Sequence, residues 1–80
     1  MTGLDQLPMW IVTDHPDDHP DHYVARRHEW HGGEIRQYLP TTMAIMHRDL
    51  ETLRAELQSM GLTCIPRELG DDPVVVETWL

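Results

Sequence analysis

The stretch Asp14-His15-Pro16-Asp17-Asp18-His19-Pro20-Asp21-His22 limits what this chain can fold into more than any other feature. Its two prolines lack backbone donors and push the residues before them away from the helical region. The segment can therefore neither continue a helix nor sustain a strand ladder. It carries four carboxylates and three imidazoles, and no apolar side chain beyond the prolines. Yet it lies between two apolar runs, Met9-Trp10-Ile11-Val12 and Tyr23-Val24-Ala25. A stiff acidic loop held out between two strands satisfies both observations.

The first strand is expected over Met9 to Thr13, rich in Trp and β-branched residues, and the second over Tyr23 to Trp30. In the second, alternation places Val24, Arg26, His28 and Trp30 on one face and Tyr23, Ala25, Arg27 and Glu29 on the other. Neither face is cleanly apolar, which suits a strand with function or solvent on one side. Arg26 and Arg27 send one guanidinium to each face. One of them is expected to pair with a carboxylate of Asp14, Asp18, Asp71 or Asp72 and so pin the loop to the sheet, a role suited to arginine's planar fork. Gly32-Gly33 reads as a tight hairpin, Ile35 to Leu39 as a short strand closed by Pro40, and Thr41 to Met46 as a further strand.

Leu50, Leu53, Leu57 and Met60 fall on one stripe of a 3.6-residue period and predict a helix over 49–60, about 18 Å long. Asp49 can cap its first amides, Glu51 sits at the positive end of its dipole, and Gly61 can supply the left-handed stop. Its outer face carries Glu51, Thr52, Arg54, Glu56 and Gln58. Leu62 to Ile65 reads as a short strand, Gly70-Asp71-Asp72-Pro73 as a turn, and Val74 to Leu80 as a strand buried on both sides. Cys64 is expected to be a small core residue. The sum is a single α+β domain over residues 1–80: a mostly antiparallel sheet of four to five strands with one covering helix.

Eighty residues bury only about 60% of the surface that the unfolded chain exposes, and a single cysteine allows no intrachain disulfide. Such a chain suits a reducing compartment, and the N-terminus carries neither positive charge nor an apolar core of a signal peptide. The apolar runs are far short of the roughly 20 residues needed to cross a bilayer. A soluble cytoplasmic protein, monomeric by default, is expected.

Function is constrained chiefly by charge. Fourteen carboxylates stand against six cationic residues, all arginine, for a net charge of −8. That argues against direct binding to nucleic acid or an anionic membrane and favours association with a basic protein surface. The plainer reading is acidity for solubility. Candidate contacts are Asp14, Asp17, Asp18 and Asp21 on the loop, Glu51 and Glu56 on the helix, and Asp71 and Asp72 on the turn. Clustering of these groups on one side would favour recognition, and even scatter would favour solubility. A rival reading is a small metal-binding module built on His15, His19 and His22 with carboxylates completing the shell, although the prolines splay these ligands round the loop. His28, His31 and His47 could add to it. The sequence contains no Gly-rich phosphate loop, no Gly-x-Ser-x-Gly and no helical histidine pair, so no enzymatic activity and no cofactor are expected.

Several blocks carry a resemblance: Asp14-His15-Pro16, Asp18 with Pro20, Tyr23-Val24-Ala25-Arg26-Arg27, Ile65-Pro66-Arg67, Asp71-Asp72-Pro73-Val74 and Val76-Glu77-Thr78-Trp79-Leu80. Over most of residues 10–80 they resemble a family of short uncharacterised proteobacterial and phage-borne proteins with the pattern V-x-D-H-P-x-D-x-P-x-x-[YF]-V-x-R-R. The chain departs from it at His19 and His28, where aromatics are expected. The family offers no catalytic residues. By size, charge and mobile-element setting the chain also resembles anti-CRISPR proteins, in particular type I-C inhibitors. That resemblance implies an acidic inhibitor occupying the basic DNA-binding channel of a CRISPR surveillance (Cascade) complex.

Overall fold

A computed structural model describes residues 8–67 and 73–80. Five strands and one helix follow in the order β1 (Met9–Asp14), β2 (Tyr23–His31), β3 (Gln37–His47), α1 (Leu50–Ser59), β4 (Cys64–Pro66) and β5 (Val75–Trp79). The strands form one antiparallel sheet in the order β3-β2-β1-β5-β4. Helix α1 lies across one face, so the fold is the α+β arrangement that the hydrophobic pattern implies.

The helix begins where its capping chemistry places it. Asp49 is extended (φ −113°), and its carboxylate accepts hydrogen bonds from the Thr52 amide and hydroxyl, both at 2.9 Å. Gly61, at φ +84°, turns the chain out, and its amide donates to the Gln58 carbonyl at 3.0 Å. Leu53 and Leu57 are fully buried against Trp10, Val12, Ala25 and Trp79, with Leu50 and Leu62 packed at the margin. Met60, expected on the buried stripe, is instead 47% exposed, because the helix ends at Ser59 and Met60 is its C-cap.

Four further expectations are corrected. Residues 35–46 do not form two strands broken at Pro40. A single 11-residue strand, β3 (Gln37–His47), runs through it. This strand lies at the edge of the sheet, where a residue without an N–H is tolerated. The register slips beside the proline, so that Thr41, Thr42 and Met43 bulge opposite Arg27. The bulge is tied down by the Thr41 hydroxyl donating to the Arg27 carbonyl at 2.9 Å and by Arg26 Nη1 donating to the Thr41 carbonyl at 2.8 Å. Pro40 and this bulge blunt one sheet edge, and the three-residue β4 with its Pro66 blunts the other. The β2–β3 connection is the five-residue stretch 32–36 rather than a two-glycine turn, with positive φ at Gly33 and Arg36.

Strand β5 does not keep simple alternation. Between Val12 and Thr13 the β1–β5 register shifts by one residue. Trp79 pairs with Trp10 and Glu77 with Val12 on the helix side, whereas Val75 pairs with Thr13 on the opposite face. Val76, at the irregularity, packs against the core. Leu80 stays tied to the sheet by exchanging backbone hydrogen bonds with Thr63 at 2.8 and 3.0 Å. Cys64 is exposed on the edge strand β4 instead of filling core.

Candidate protein-recognition surface

The topology gathers the acidic groups at one end of the sheet. Strand β1 ends there at Asp14, β2 starts beside it at Tyr23, β3 finishes opposite Tyr23 at His47, and β5 starts next to Thr13. Helix α1 also begins there, directly after β3. Asp14, Asp17, Asp18 and Asp21 are all exposed on the loop, and Asp49 and Glu51 are exposed at the start of the helix. Glu56, further along α1, is drawn to the same end by His47, whose Nε2 lies 2.7 Å from its carboxylate. Nearby cations are Arg48 in the connection to the helix, Arg67 after β4, Arg26 reaching up from mid-strand, and Arg54, which contacts Glu51 as well as Glu77. At the far end of the β2–β3 ribbon, Glu29 and Glu34 stand with Arg27 and Arg36. Among the described residues, negative charge is thus concentrated at the loop end and balanced at the other. Asp71 and Asp72 lie outside the described residues. Pro73 and Val74, which follow them, lead into the loop end, where the Asp14 amide donates to the Val74 carbonyl at 2.9 Å.

The loop is folded on itself. The amides of His15, His19 and His22 donate to the carbonyls of His22, Pro16 and His19 at 3.0, 2.9 and 3.2 Å. His15 sits at φ +47°, packs edge-on against the Tyr23 ring at 4.9 Å and bonds through Nδ1 to Asp14. Of the two candidate arginines, Arg26 reaches the loop: its Nη2 is 3.8 Å from Asp18. Arg27 instead lies 3.2 Å from Glu29 on the other side. The Asp18 carboxylate remains 66% exposed, so the contact tethers the loop without consuming the charge.

The histidines face different partners. His15 contacts Asp14, and His19 lies 3.8 Å from Asp18. Among the described residues, no three His, Cys, Asp or Glu side chains converge in an arrangement that holds a metal. Prepared without affinity resin and dialysed against a weak chelator, the protein is expected to carry well under one zinc or nickel per chain by elemental analysis. One metal per chain, lost on replacing His15 and His19, would restore the metal-module reading.

The most enclosed ionic group was not legible as such. Glu77 is 4% exposed beneath α1. Arg54 grips it with Nε at 3.2 and 3.1 Å and Nη2 at 2.8 Å, Trp79 Nε1 donates to it at 2.8 Å, and Arg54 Nη1 also reaches Glu51 at 2.9 Å. Burial pushes the Glu77 carboxyl up, but the hydrogen bonds from Arg54 and Trp79 outweigh it and hold the group below its ordinary value. The Arg54 guanidinium is held the more firmly protonated, first by its hydrogen bond to Glu77. This cluster ties helix to sheet and is structural. Arg54 therefore belongs to the inner edge of the helix rather than to its outer face.

No described helix is long and apolar enough to cross a membrane. No family model, curated protein or solved structure matches the chain.

Proposed function

We propose that the chain is a binding protein whose acidic end docks on a basic, nucleic-acid-binding surface of a protein partner and competes there with nucleic acid. The observation that carries this reading is the one-ended distribution of carboxylates. Acidity serving only solubility has no reason to collect on the loop, the helix start and the His47-drawn Glu56 while leaving the far end balanced. A one-sided field steers a basic partner in and is weakened by salt. The loop is internally hydrogen-bonded, so its carboxylates are presented with little ordering left to occur on binding. The resemblance to type I-C anti-CRISPR proteins supplies the partner to try first, a CRISPR surveillance complex, with target-DNA binding as the step blocked.

The test is a DNA-binding titration of a purified type I-C surveillance complex at low salt. Added protein is expected to raise the apparent Kd for target duplex. The combined change Asp17→Ala, Asp18→Ala and Asp21→Ala is expected to abolish most of that rise while leaving the unfolding midpoint near the parent's, since these side chains are exposed. A triple variant as inhibitory as the parent would mean that the loop is not the recognition surface.

A further inference from the structure

An antiparallel sheet covered on one side by a helix ordinarily presents a polar outer face to water. Here the uncovered face carries a cleft of about 330 Å³ beneath the acidic loop. Its floor is Ile11, Val24 and Val75 beside Thr13, with Pro16 and Asp18 of the loop also lining it. Arg26 and His28 also line it, and both are already engaged, Arg26 with Asp18 at 3.8 Å among others. Arg26 donates to the Thr41 carbonyl at 2.8 Å, and His28 Nδ1 lies 3.1 Å from the Arg26 carbonyl oxygen. What the cleft leaves open is an apolar slot below a loop bearing Asp14, Asp17, Asp18 and Asp21.

We infer that this cleft is an anchor pocket for the basic partner. It receives one leucine-sized apolar side chain from an extended segment whose flanking Arg or Lys residues lie on the loop carboxylates. The inference rests on the acidic end being the recognition surface. Charge complementarity names the flanks of the segment, and the apolar floor names its centre. At about 30 Å³ per water, the cleft has room for roughly ten waters, the lower limit of small-ligand sites and more than enough to seat a leucine side chain. The two features then divide the work of binding: carboxylates set the rate of capture, and the buried anchor sets the rate of release.

Two fluorescein-labelled peptides test this, Arg-Arg-Leu-Arg-Arg and Arg-Arg-Ser-Arg-Arg, titrated with the full chain by anisotropy at low salt. The leucine peptide is expected to bind the parent about tenfold more tightly, the scale of burying one such side chain. Thr13→Phe, which fills the cleft, is expected to remove that preference. Ile11→Thr, which keeps the cleft open but makes its floor polar, is expected to reduce it. The double change Asp17→Ala with Asp21→Ala, at two loop carboxylates that do not line the cleft, should weaken both peptides together and keep their ratio. Equal binding of the two peptides to the parent, or a leucine preference that survives Thr13→Phe, overturns the anchor pocket and leaves the acidic surface standing. Failure of both peptides to bind at low salt overturns both.

Discussion

Trp79→Ala is expected to lower stability by about 3–5 kcal/mol, the range for truncating a buried tryptophan. Trp79 is 6% exposed, pairs across the sheet with Trp10, and packs in the same cluster as Leu53 and Leu57. Its indole N–H also donates to Glu77, so truncation opens a cavity and removes a donor from a buried carboxylate at once. At typical stabilities of roughly 0.05–0.15 kcal/mol per residue, an 80-residue domain holds only about 4–12 kcal/mol. Urea unfolding is expected to show Trp79→Ala far more destabilised than any substitution in the acidic loop, with Trp79→Phe in between because it keeps much of the volume but not the N–H. A Trp79→Ala midpoint at the parent's value would contradict the core described here.

Arg54→Ala is the second large effect. It leaves Glu77 buried with Trp79 as its remaining strong donor. Losing one partner of a fully buried pair costs about 3–5 kcal/mol, but water reaches Arg54, whose side chain is 38% exposed, so about 2–3 kcal/mol is expected. The pH dependence gives this loss a signature. In the parent, the Glu77 carboxyl is held below its ordinary 4.5, so its contribution is fully present above about pH 4.5 and is lost as pH falls through the folded-state value. Without Arg54, burial dominates and pushes the carboxyl up, so protonation relieves the variant. The stability gap between parent and Arg54→Ala is therefore expected to narrow from pH 6 to pH 3. The double change Arg54→Leu with Glu77→Leu should recover much of the loss, because it removes both charges from the site. A gap that is constant with pH would mean that the cluster contributes packing alone.

The parts of this fold that were legible in the sequence are those where local rules and tertiary placement agree. Pro16 and Pro20 fixed the loop and hence the ends of the strands beside it. The leucine spacing with Asp49 and Gly61 fixed the helix. Position within the sheet was harder to read. Pro40 signals a strand end, yet an edge strand accommodates it, so two expected strands proved to be one. A one-residue slip opposite Val12 and Thr13 separated Val75 from Glu77 and Trp79, which simple alternation had placed together. Glu77 followed a run of valines with nothing local to mark its burial, and Arg54 fell on the outward stripe of the helix. Their pairing spans 23 residues and appears only once helix and sheet are stacked. The candidate site divides in the same way. The loop carboxylates and the Arg26–Asp18 tether could be anticipated from composition and alternation. That the loop, the start of α1 and Glu56 share one end follows from the strand order, which no local pattern encodes.

If the acidic end is the recognition surface, the position of the carboxylates matters and not merely their number. Two double variants test it at equal charge: Asp17→Ala with Asp18→Ala at the loop end, and Glu29→Ala with Glu34→Ala at the far end. Each takes the net charge from −8 to −6. The measurement is the affinity of each for the labelled Arg-Arg-Leu-Arg-Arg peptide across a salt series. The loop-end variant is expected to bind several-fold more weakly with a shallower salt dependence, while the far-end variant stays close to the parent. Equal weakening of the two variants would show that only net charge counts, and would contradict the account.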